Sequence, residues 1–79
     1  MYPTDRQMVD EAEQVLAASS SRDMYAEVLV TAIAGQLNER ERVSHYESRS
    51  GQWLLTLVAA DSRYVVRHDD HGLPLVCLV

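Results

Sequence analysis

The chain contains no lysine, one cysteine, three glycines, two prolines and only five aromatic side chains among 79 residues. Each shortage excludes something. A single cysteine, Cys77, forbids a disulfide within the chain, and a thiol without a disulfide framework fits a reducing compartment. Three glycines leave little material for a phosphate-cradling loop, and no G-x-S-x-G or H-E-x-x-H run occurs. Apolar stretches fall far short of the ~20 residues of a membrane helix. Asp10, Glu11 and Glu13 interrupt any secretory apolar run near the first helix. Seven arginines stand against twelve acids, a net charge of −5. Binding phosphates directly needs a cluster of cations whose contacts release counterions, and this balance argues against it. The expectation is a soluble cytoplasmic protein without a cofactor, touching neither membrane nor nucleic acid.

What is present divides near Asn38–Arg42. Residues 1–39 carry seven acids against two arginines and net −5, whereas residues 40–79 carry five of each and net zero. The hydrophobic period changes at the same place, from helical to alternating. The reading is one α+β domain over 1–79, with a helical layer over about 4–39 and an antiparallel sheet over about 42–79, in the order α-α-β-β-β-β. A core of this size rarely supplies more than ~3–5 kcal/mol, so a partner chain is a common supplement.

Thr4 followed by Gln7 predicts a capping box at the start of the first helix, and Met8, Val9, Ala12, Val15 and Leu16 then share one face. Ser19–Ser21 ends that helix and starts the next over about 22–38, giving an αα-hairpin. The second helix is apolar around most of its circumference, and Gly35, about 1 kcal/mol worse than alanine in a helix, is read as a point of close packing. A weak strand is expected from Val43 to Arg49, a hairpin turn at Ser50-Gly51, and the strongest strand from Gln52 to Ala59. A turn at Asp61-Ser62 leads into a strand over Arg63–His68. Asp69–Gly72 makes another turn, and Leu73–Val79 forms the last strand.

That last strand is apolar on both faces. In a meander it would sit at the edge without a guarding charge, although Pro74 suits an edge. It must therefore be inserted between other strands, pair with a second copy, or accept a partner's strand. Leu73, Leu75, Val76 and Leu78 are the residues expected to self-associate, as a homodimer.

Two further surfaces suggest partners. Asp10, Glu11 and Glu13 mark an acidic helix face suited to a basic protein surface, such as that of a nucleic-acid-binding protein. Arg49, Trp53, Arg63 and Arg67 mark a sheet patch of the residue types that dominate interface energetics. His68-Asp69-Asp70-His71 holds metal-ligating groups, and His45 adds another, but adjacent side chains in a tight turn do not converge on one ion. No metal is therefore assigned, and a metal-binding sensor at His68–His71 is the weakest alternative. Cys77 lies in an aliphatic run with no base beside it, so catalysis is not expected. The functional expectation is a small acidic module that binds and inhibits a larger cytosolic protein. Inhibitors encoded by phages and mobile elements, anti-CRISPR proteins among them, share its size and charge, an analogy and not a motif match. The competing expectation is a homodimeric structural protein.

Overall fold

A computed structural model describes residues 1–42 and 45–79. It contains α1 (Asp5–Ala18), β1 (Asp23–Tyr25), α2 (Ala26–Arg40), α3 (Gly51–Ala59), β2 (Tyr64–His68) and β3 (Pro74–Leu78). The class is α+β, with three helices packed on one face of a three-stranded antiparallel sheet ordered β1-β3-β2.

α1 forms as its sequence predicts. The Gln7 N–H donates to Thr4 Oγ1 at 3.1 Å and the Thr4 N–H to Gln7 Oε1 at 2.8 Å, closing the capping box. Its buried stripe is Met8, Glu11, Ala12, Val15 and Leu16, and it stops at Ser19. α2 supplies the centre of the core through Ala26, Leu29, Val30, Ile33, Ala34 and Leu37.

The αα-hairpin is replaced by a strand. Arg22 adopts φ 58°, the left-handed region, and this ends any continuous helix from Ser20 onward. Asp23, Met24 and Tyr25 then pair with Cys77, Val76 and Leu75. Met24 and Tyr25 are compatible with a helix, and only the distant β3 makes them a strand.

The expected strand over Gln52–Ala59 is α3. Ser50 serves as its N-cap, its Oγ accepting from the Trp53 N–H at 3.2 Å, and no hairpin turn forms at Ser50-Gly51. Leu54 and Val58, one helical turn apart, are fully buried, while Gln52 and Thr56 are exposed at the same spacing. A short apolar run reads equally well in either period until its packing is known. The expected strand over 43–49 partly involves Val43 and Ser44, which lie outside the described residues, and His45–Arg49 is irregular. Tyr46 anchors this segment as a buried side chain. The Asn38 amide donates to its carbonyl at 2.9 Å and accepts from its N–H.

β2 and β3 form the expected hairpin. Asp69 organises the turn by accepting the Gly72 N–H on its carbonyl (2.9 Å) and the His71 and Leu73 N–H groups on Oδ1 (both 2.9 Å). Gly72 at φ 80° supplies the left-handed residue. β3 is the middle strand, so its two edges are occupied by β1 and β2 and cannot add a strand from another copy. This corrects the self-association set. Val76 is fully buried under the helices and Leu78 packs on the core, whereas Leu75 is half-buried on the opposite, open face. Leu73, just before the strand, is exposed.

Gly35 is likewise not a close-packing point, because a Cβ built there meets nothing within 4 Å. Gly35→Ala should therefore raise unfolding stability by about 1 kcal/mol through helix propensity alone. Arg22→Gly should add roughly 0.5–1 kcal/mol by relieving the left-handed arginine, offset in part by a freer unfolded chain. Denaturant titration checks both, and a destabilised Gly35→Ala protein would contradict the packing described.

Candidate functional site

α3 packs against both α1 and α2, which also pack directly on each other, and its two flanks differ. On the α1 side, Trp53, Leu57 and Ala60 run along a seam whose other wall is Asp5, Val9 and Asp10. At the upper end, the Arg49 guanidinium carbon lies 4.8 Å from the Trp53 ring centre and 5.4 Å from that of Tyr2. Arg49 Nε donates to the Pro3 carbonyl at 2.9 Å, and Trp53 Nε1 donates to Asp5 Oδ1 at 2.9 Å. Each exposed cation–π contact contributes about 0.5–1 kcal/mol, so the arrangement is held while Tyr2 and Trp53 remain 54% and 45% exposed. The N-terminal segment is tied down beside it, since the Glu47 N–H donates to the Met1 carbonyl at 2.8 Å.

At the lower end Arg63 gathers three carboxylates. Its Nη1 reaches Asp10 at 3.1 Å and Glu13 at 3.0 Å, while Nε and Nη2 clasp Asp61 at 3.0 and 2.7 Å. This links α1 to the turn before β2. Arg63 also lies over the ring of Tyr64, at 5.5 Å, and the Tyr64 hydroxyl donates to the Val9 carbonyl. Burial pushes that hydroxyl up to about 12. A groove of about 370 Å³ separates the two ends.

The sequence-derived site residues therefore regroup. Asp10, Glu13, Arg49, Trp53 and Arg63 meet along one seam, although they were expected on a helix face and a separate sheet patch. Arg49 lies in a loop and Trp53 on α3, so no sheet patch joins them. Arg67 stands apart on the open face of the sheet, opposite Leu75. Glu11 does not belong to an acidic face. It is 5% exposed and pairs with Arg40 of α2, and its Oε2 has no hydrogen-bond partner among the described residues. The free acidity of the α1 face is also reduced, because Asp10 and Glu13 share Arg63 and Asp10 lies 3.6 Å from Arg6. Tyr2, Asp5 and Asp61 were missed by sequence reasoning. Only Asp61, two residues before Arg63 in a turn, carried a local signal.

The His68–His71 turn is built around structure. Asp69 Oδ2 accepts from the Tyr25 hydroxyl at 2.7 Å, and that bond leads the causes holding its carboxyl below the ordinary range. Among the described residues, no three His, Cys, Asp or Glu side chains gather closely enough to hold a metal ion. Burial raises the Cys77 thiol, which keeps it from ionising readily. No helix among the described residues is long and apolar enough to cross a membrane.

Asp61 is drawn down to about 2, first by the Arg63 side chain and then by the Arg63 N–H. A carboxyl whose folded pKa lies below its unfolded value stabilises the fold above the unfolded pKa and loses that contribution as pH falls through the folded one. The gap in melting temperature between the native chain and Asp61→Asn should thus be steady above about pH 5 and close toward about pH 2. Thermal melts across that range check it, and a gap that does not narrow contradicts the Arg63–Asp61 clasp.

Comparison with known proteins supplies no relative to set beside this geometry: no family model, no curated protein and no solved structure matches the chain.

Proposed function

We propose that this protein is a small interaction module that binds a larger protein through the α1–α3 seam and inhibits it by occupying its surface. The observation that supports the reading is the exposed Tyr2–Arg49–Trp53 cluster, held in place by Pro3 and Asp5. Tyr, Trp and Arg are the residues most enriched at binding hot spots, and rings fixed before contact lose little freedom on binding. The seam offers recognition more than chemistry. Its carboxylates, Asp5, Asp10, Glu13 and Asp61, are each engaged by a tryptophan N–H or a guanidinium.

The seam also refines the kind of partner. Four carboxylates face three guanidiniums, those of Arg6, Arg49 and Arg63, so the surface is a mosaic and not a uniform negative field. A partner with matching charges of both signs around an apolar recess for Trp53 fits better than a plain polycation. The chain's net charge of −5 still favours approach to a basic protein. A surface that otherwise holds nucleic acid is one such target. The inhibitory role rests on the analogy of size and charge to phage-encoded inhibitors.

Affinity capture from source-cell extract, quantified by mass spectrometry, tests the reading when the native chain is compared with Trp53→Ala and Arg49→Ala. A specific partner should be retained by the native chain and bound at least about tenfold more weakly by each variant, as truncating a hot-spot side chain implies. Asp10→Asn with Glu13→Gln should mainly slow association and reduce its salt dependence. A partner held equally by Trp53→Ala and Arg49→Ala would remove the seam as the binding site.

A further inference from the structure

The other flank of α3 carries a second surface. Gly51, Gln52 and Leu55 face the first turn of α2, and the gap continues to Leu73 and Pro74 at the start of β3, forming a groove of about 450 Å³. Its lining is largely apolar. Tyr25, Val28 and Leu73 are among its walls at 39%, 53% and 53% exposure, three of the eight large hydrophobic residues exposed among the described residues. Scattered exposed hydrophobics are ordinary, whereas several converging on one recess mark a contact surface.

The groove contains one fixed charge. The Gly51 N–H donates to Glu27 Oε1 at 3.0 Å, and a Cβ at residue 51 would come within 2.5 Å of that oxygen and 3.2 Å of the Ala26 Cβ. A side chain at residue 51 would push the Glu27 carboxylate out of this position. No protein group among the described residues bonds the second oxygen, Oε2. The surroundings are acidic as well. The Tyr25 hydroxyl is raised above its ordinary pKa, first by its hydrogen bond to Asp69, then by burial and by the fields of Asp69, Asp23 and Asp70. No arginine lines the groove.

We infer that this groove binds a segment of another protein that presents an apolar side chain next to an arginine or lysine. The apolar group rests on Val28, Leu55 and Leu73, and the cation meets Glu27. Openness favours a protein segment over a small molecule, since a small-molecule site buries most of its ligand and these walls stay half exposed. A second copy of the chain fits poorly. It would bring together two chains that each carry −5 and offers no excess of cations to the groove, whose one charged lining residue is Glu27. The groove and the Trp53 seam use opposite flanks of α3, so either can fail without the other.

The test uses the full chain and three short labelled peptides, read by fluorescence anisotropy. One has leucines at helical spacing among arginines, the second has glutamates for the arginines, and the third has serines for the leucines. The leucine–arginine peptide should bind at least about tenfold more tightly than either control. Val28→Ser and Leu73→Ser should each weaken it severalfold. Glu27→Gln, which keeps an acceptor for Gly51, should weaken it and flatten its salt dependence. Trp53→Ala should leave it unchanged. Circular dichroism of these exposed-site variants confirms that each is folded. Equal binding of the leucine–glutamate peptide, or affinity indifferent to Val28→Ser and Leu73→Ser, overturns the inference. So does a dimer in sedimentation that Val28→Ser dissolves, since the occupant is then a second copy.

Discussion

The two hydrogen-bond ladders of β3 constrain nearly everything else in this fold. An apolar strand with no charge on either face cannot remain at an edge without inviting association, and here β1 and β2 occupy its two sides. Recruiting Asp23–Tyr25 to one side forces the chain out of helix after α1, places Arg22 in the left-handed region and sets the start of α2 at Ala26. Recruiting Tyr64–His68 to the other side fixes the turn that carries Asp61 and Arg63. The Leu78 N–H bonds the Arg22 carbonyl and the Val79 N–H bonds the Arg63 carbonyl, so the last residues fasten both neighbours.

The helices pack on one face of this sheet, where α1 and α2 lie against each other and α3 packs on both. Leu54 and Val58 face the core and are sealed. Trp53 and Leu57 turn to α1, whereas Gly51, Gln52 and Leu55 turn to the start of α2. One short helix thus generates two surfaces of different character. The seam has rings held by a cation and a balanced set of charges. The groove has an apolar lining and a single pinned carboxylate.

Charge is distributed differently from its order along the chain. Residues 1–39 hold the whole net −5, yet much of it is consumed internally. Glu11 is buried against Arg40, Asp10 and Glu13 share Arg63, Asp5 accepts from Trp53, and Glu27 accepts from Gly51. Arginines from the neutral half provide two of these links. The asymmetry read along the sequence is partly an internal complementarity between layers. This shifts the argument for a partner from bulk acidity to the two flanks of α3.

Some of this was legible in the residues alone. The Thr4–Gln7 box and the Met8–Leu16 stripe determine α1. Asp69 to Gly72 determines the β2–β3 hairpin, and the two-sided apolar pattern of residues 73–79 requires that strand to be covered. Each is set by hydrogen bonds or periodicity within a few residues, so no distant contact can easily override it. The fate of Gln52–Ala59, the strand at Asp23–Tyr25 and the meeting of Arg49 with Tyr2 and Trp53 were decided only by tertiary structure. The run Gln52–Ala59, apolar except at Gln52 and Thr56, fits either period, and Met24 and Tyr25 are tolerated in helix or strand. Which form prevails depends on partners more than twenty residues away. The sequence by itself determined which segments must be buried, and the packing decided what each is buried against and which rings and charges are left facing outward.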